Sequence, residues 1–160
     1  MITKYKYSPP QLILAGGQTG VDRAALDWAI TMNITHGGWC PRGRTAQDGP
    51  LPERYKLRET EATGYSQRTR MNVRDGDATL IIHLSPLAGE TQLTLRFANE
   101  MNKPVRMVDL SKDWLSQSIQ VQTWWTGLGL KSLNMAGPSE DRVPGIYALT
   151  MEFLQQLWPC

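Results

Sequence analysis

Short apolar runs alternate along this chain with stretches whose apolar residues recur every three or four positions. Leu12 to Ala15 is an apolar run closed by a glycine pair, and Val21, Ala25, Trp28 and Met32 then recur at helical spacing. That order predicts strand, tight loop and helix. A second strand is predicted near Ile34 to Trp39, interrupted by Gly37-Gly38. Cys40 to Gly64 is rich in Pro, Gly and charge and predicts a long excursion with little regular structure, which in a small domain is commonly functional. Ser66 can cap a helix running to Arg74, and Ala78 to Leu84 is the nearly continuous apolar run of a strand buried on both faces. A loop from Ser85 to Glu90 leads to a helix with Leu93, Phe97 and Met101 as its buried stripe, ending before Lys103-Pro104. Val105 to Val108 predicts a strand, Ser116 to Thr126 a helix burying Val121, Trp125 and Leu128, and Lys131 to Ala136 a further strand. Pro144 can open a last helix with Ile146, Leu149, Phe153 and Leu157 on one face.

Strands alternating with helices predict an α/β fold: a mostly parallel sheet with helices on both faces, joined by right-handed crossovers. Leu12 to Ala15 and Ala78 to Leu84 are expected as interior strands, with Val21, Ala25, Phe97, Leu149 and Phe153 in the core. In such sheets ligands collect beyond the carboxyl ends of the strands. Three loops there have suitable residues. The first, Gly16, Gly17, Gln18, Thr19 and Gly20, offers close backbone approach, a hydroxyl and the free amides of a helix start, followed by Asp22 and Arg23. Its spacing is neither that of a dinucleotide fingerprint nor that of a Walker loop, and a tight turn without a ligand is the alternative. The second loop has Gly89 and Thr91 around Glu90, whose charge opposes an anion close by. The third has Gly137 before Pro138. Arg42 and Arg44 can close over the first loop from the excursion, since a planar guanidinium pairs two oxygens at once. Asp22 and Arg23 have a structural alternative, pairing with each other or capping the helix.

With 160 residues, 41% of them hydrophobic, the chain has the material for one domain, read as 11–160 behind a tail of residues 1–10. No run approaches the roughly 20 apolar residues of a membrane span. Lys4 and Lys6 are not followed by the apolar core of a secretory signal, and Cys40 and Cys160 form no disulfide framework, so a cytoplasmic setting is expected. His36 and Cys40 fall short of a tetrahedral metal set, and no metal is expected. A net charge of +2 gives no reason to expect nucleic acid as a partner. Eight of the 17 Lys and Arg do cluster, at Arg42, Arg44, Arg54, Lys56, Arg58, Arg68, Arg70 and Arg74, most simply as a solvated face with nearby carboxylates. Trp114, Trp124 and Trp125 read as core or oligomer contacts sooner than as a recognition module.

The run Gly-Gly-Gln-Thr-Gly-Val-Asp-Arg-Ala-Ala-Leu-Asp at 16 to 27, with Gly-Gly-Trp-Cys-Pro-Arg-Gly-Arg at 37 to 44, resembles the putative molybdenum carrier family. Ala46 to Gly49, Leu57 to Thr60, Arg68-Thr69 with Asn72-Val73, Asp77 to Ile81, Leu133 to Pro138 and Pro144 to Tyr147 extend the similarity over nearly the whole chain. The resemblance implies a Rossmann-like domain of the Lonely Guy and nucleotide-sensing (SLOG) superfamily, assembled as a homo-oligomer. It implies a pocket for an anionic small molecule: molybdenum cofactor, molybdate or a nucleotide. A carrier or other binding protein is the leading reading; a nucleotide N-glycosidase or phosphoribohydrolase, or a nucleotide sensor, is the alternative. Two departures bear on that choice. The family's second loop has Gly-Gly-Thr where this chain has Gly89-Glu90-Thr91. In Lonely Guy enzymes a glutamate follows the loop threonine by three positions, and here that position holds Thr94. A glycosidic cleavage that builds positive charge on ribose calls for that carboxylate, so efficient hydrolysis is not expected unless Glu59 or Asp22 replaces it.

Overall fold

The computed structural model describes residues 7–84 and 86–160; the tail expected at residues 1–10 and the loop position Ser85 lie wholly or partly outside them. In chain order the elements are β1 (Leu12–Leu14), α1 (Val21–Thr31), β2 (Thr35–Gly37), β3 (Trp39–Cys40), β4 (Arg58–Glu59), α2 (Tyr65–Asp75), β5 (Ala78–His83), α3 (Gly89–Glu100), β6 (Val105–Asp109), α4 (Trp114–Leu128), β7 (Ser132–Ala136) and α5 (Ile146–Leu157). Among the described residues five strands form one sheet in the order β2-β1-β7-β5-β6, and every pairing is parallel. β1 and β5 are interior, as their apolar runs predict. The expected strand from Ile34 to Trp39 is instead two. Gly38, at φ +126°, turns the backbone between β2 and β3, and β3 leaves the main sheet to pair with β4.

The two faces of the sheet are unlike. Leu80 and Ile82 of β5 and Leu133 and Met135 of β7 join an apolar core with Ala25 and Trp28 of α1, Val121 and Trp125 of α4, and Phe153 and Leu157 of α5. Side chains alternate along a strand, so Thr79, Ile81 and Asn134 turn to the other face, where α2 and α3 pack side by side. There α2 buries Arg68, Thr69, Asn72 and Val73, and α3 buries Thr91, Thr94 and Ala98. The expected α3 stripe of Leu93, Phe97 and Met101 is only half-buried, because the small residues of α3 make the close approach. Of the expected core residues, Val21, Ala25 and Phe153 are fully buried, whereas Phe97 and Leu149 are half-buried. α2 starts one residue before Ser66, behind Gly64, with no side-chain cap. α5 starts behind Gly145 rather than at Pro144.

The excursion has only β3 and β4 as regular structure and is held by buried anchors, Leu51, Tyr55 and Leu57. The Tyr55 hydroxyl donates to Asp27 Oδ1 at 2.5 Å while Tyr147 of α5 donates to Oδ2 at 2.6 Å, so one carboxylate on α1 ties down both. No helix among the described residues is long and apolar enough to cross a membrane.

Candidate functional site

Beyond the carboxyl ends of β1, β7 and β5 lies a cavity of about 240 Å³, walled by α1, α2, the start of α3 and the loop after β7. Its position follows from the topology, and its polarity follows from α2, which has no apolar stripe to bury. Gly16, Gln18, Asp22, Gly89, Thr91 and Gly137, all anticipated from the sequence, line it. So do Gln47, Tyr65, Arg68, Thr69, Asn72, Glu90, Thr94, Asn134 and Arg142.

At the floor, Arg68 Nη1 donates to Asp22 Oδ2 at 2.7 Å, with both side chains more than nine-tenths buried. Burial pushes the Asp22 carboxyl above its ordinary value, a rise that Arg68 and the backbone amides of Gln18 and Gly16 offset only in part. The glycine loop thus directs amides at the protein's own carboxylate. Gly16 is required by this pair: a Cβ there would lie 1.7 Å from Arg68 Nη1. Among the described residues Arg68 Nε is buried without a hydrogen-bond partner, a costly state for a charged donor.

The opposite rim is the start of α3. Gly89 adopts φ +54°, and the Arg142 guanidinium lies where its Cβ would be, 2.5 Å from Nη1. A cation is thereby held over the positive end of a helix. Glu90 stands in the same first turn, its Oε2 3.2 Å from Thr69 Oγ1. Thr94 is buried on the wall and donates to the Glu90 carbonyl at 2.8 Å, so the position of the Lonely Guy glutamate faces the cavity without a carboxylate.

Other anticipated residues stand outside the lining. Gly17 and Gly20 shape the turn. The Thr19 hydroxyl donates to Gln47 Oε1 at 3.1 Å and accepts from Glu140 N at 3.2 Å. Arg23 pairs with neither Asp22 nor a cavity group: it forks onto Asp48 at 2.8 and 2.9 Å and onto the Gly17 carbonyl. Arg44, expected to close over the glycine loop, donates to the carbonyls of Leu51, Pro52, Tyr55 and Leu57 and so holds the excursion together. Arg42 is exposed and does not reach the cavity wall. The cavity arginines are Arg68 and Arg142, and a signal for the first was present: a helix between two parallel-sheet strands with hardly any aliphatic residues must bury polar ones. Glu59, a candidate substitute carboxylate, is exposed and accepts from Gly43 N at 2.7 Å. His36 Nε2 accepts from Lys56 N, and among the described residues no three His, Cys, Asp or Glu side chains gather as a metal site.

The family model of the circularly permutated YpsA SLOG family matches residues 13–158. The crystal structure of a putative molybdenum carrier protein from Syntrophus aciditrophicus SB is similar at a TM-score of 0.92 and 40% sequence identity, over 97% of this chain and 98% of that one. Comparison with curated proteins gave no match. With nearly the whole chain covered by the match, this protein belongs to the circularly permutated YpsA branch of the SLOG family.

Proposed function

We propose that this protein is a carrier or other binding protein for an anionic small molecule, held in the cavity between the Gly16 to Gly20 loop and the start of α3. The observation that carries the reading is the convergence of Arg68, with Nε unpartnered, and Arg142, lying over a helix N-terminus, on one polar cavity. Arg142 has no carboxylate partner among the described residues, and a bound anion supplies one. The solved relative is named for molybdenum carriage, which makes molybdenum cofactor, molybdate and nucleotides the ligands to try. The wall offers no Cys or His, so such a ligand is held by charge and hydrogen bonds from Arg68, Arg142, Thr91 and Asn134, with metal as cargo and not as a ligated centre. A volume of about 240 Å³ lies just below the roughly 300–1,000 Å³ of typical small-molecule pockets.

The hydrolase alternative has weaker support in the same wall. Thr94 and Glu59 are placed as described, and Asp22 is already engaged by Arg68. The test is a melting series with molybdate, inorganic phosphate and nucleoside monophosphates, joined by native mass spectrometry of protein purified from its source. A ligand specific to the folded state stabilises by about 2.7 kcal/mol at a hundredfold excess over its dissociation constant, and Arg142→Ala should remove most of that gain while leaving the unliganded melt unchanged. Flat melting curves with all of these probes, and no retained mass, would sink the reading.

A further inference from the structure

The cavity carries as much negative charge as positive, and this inference rests on the binding role just proposed. Its acidic wall residues are Asp22 and Glu90 and its basic ones Arg68 and Arg142, with Tyr65 the remaining ionisable side chain. Asp22 is matched by Arg68. Glu90 forms no ion pair among the described residues. Its contact with Thr69 is weak as well: that hydroxyl has one proton and makes a shorter bond, 2.9 Å, to the Tyr65 carbonyl. Among the described residues, then, a carboxylate with no donor but a shared hydroxyl lines the same cavity as a nine-tenths-buried guanidinium whose Nε has no acceptor.

A bare oxyanion answers only half of this arrangement. Phosphate and molybdate present acceptors on every side, so one seated between the arginines meets Glu90 with little or nothing to donate. A phosphate ester with hydroxyl or amino groups answers both halves. Room for the rest of its organic part adjoins: a second chamber of about 230 Å³ shares Ala88, Thr91, Pro138 and Arg142 with the first and is completed by His83, Pro86, Leu87 and Val143, so the donors that Glu90 meets are those that stay in the first cavity. We propose that the site takes a phosphate ester whose organic part carries hydrogen-bond donors, and that Glu90 is its specificity-determining residue, accepting from those donors and disfavouring bare oxyanions. Among the ligands under consideration, nucleotides and a phosphate-bearing pterin meet that condition, and molybdate does not.

Titration calorimetry of the full chain and of Glu90→Gln with molybdate, inorganic phosphate, ribose 5-phosphate and GMP tests this. The wild-type protein should bind at least one ester about ten- to a hundredfold more tightly than either bare oxyanion, the worth of a hydrogen bond to a charged group. Ribose 5-phosphate binding as well as GMP assigns the donors to sugar hydroxyls; GMP alone binding well assigns them to the amino-bearing base. Glu90→Gln should narrow the gap from both sides. Molybdate or phosphate binding as tightly as both esters in the wild type, or a gap unchanged in Glu90→Gln, would overturn the proposal and leave the anion-binding reading standing. Failure of all four probes to bind would overturn the proposal, and together with no retained mass in native mass spectrometry it would overturn the anion-binding reading as well.

Discussion

Asp22 and Arg23 are neighbours on one helix, yet they serve opposite regions of the molecule. Asp22 turns into the cavity and pairs with Arg68 on α2, both side chains at most 7% exposed. Arg23 turns to the excursion and pairs with Asp48, which is 51% exposed. The chemistry is the same and the solvent is not. Burial raises the Asp22 carboxyl above its ordinary value, whereas the hydrogen bond from Arg23 lowers that of Asp48. The buried pair opposes its own desolvation and is indispensable once formed, while the exposed pair is a weak tether.

The contrast is broken most severely by Arg68→Met. It strands the Asp22 carboxylate in the cavity floor and should destabilise by about 3–5 kcal/mol in urea unfolding, with Arg68→Met combined with Asp22→Leu recovering much of the loss. Equal damage from the single and double variants would show that the pair is not the unit. Next comes Gly16→Ala. The added Cβ must displace the guanidinium from a position 1.7 Å away, and a cost of about 1–3 kcal/mol is expected for such overpacking; a melt within error of wild type would contradict the tight approach. On the exposed side, Asp48→Ala should cost no more than about 1 kcal/mol, and less as salt is raised.

The smallest effect, and the sharpest in sign, is the response to pH. A carboxyl raised above 3.8 in the folded state makes stability fall as pH rises from 3.8 through its folded value, because the folded chain holds that proton more tightly. A carboxyl lowered below 3.8 contributes stability above that value and loses it as pH falls through its own folded value. In unfolding curves taken between about pH 3 and pH 7, Asp22→Asn should therefore steepen the loss of stability toward acid, and Asp48→Asn should flatten it. The same direction of change in both variants would refute the assignment.

Much of the fold was legible because a parallel sheet buries its strands on both faces, so Leu12 to Ala15 and Ala78 to Leu84 stand out as apolar runs. The α3 stripe was misread because large residues draw attention in a helical pattern, whereas Thr91, Thr94 and Ala98 permit the close approach. At the site, the glycines of three loops could be seen because backbone demands are local. The arginines could not: Arg44 and Arg68 belong to one cluster of eight cations, and only the tertiary fold sends the first to four carbonyls and the second to the cavity floor.

The place of β7 has a consequence for how the chain acquires its structure. β1 with β2 and β5 with β6 are pairs that neighbouring stretches of sequence can form as they emerge, but among the described strands only β7 bridges them, pairing with β1 on one edge and β5 on the other. During synthesis the two half-sheets remain separate, with facing edges unpaired, until residues 132–136 leave the ribosome. Such contacts close long loops and are slow to form. Until they do, β1 and β5 present open edges to other chains, so the interval before β7 docks is the one in which this protein is most exposed to aggregation.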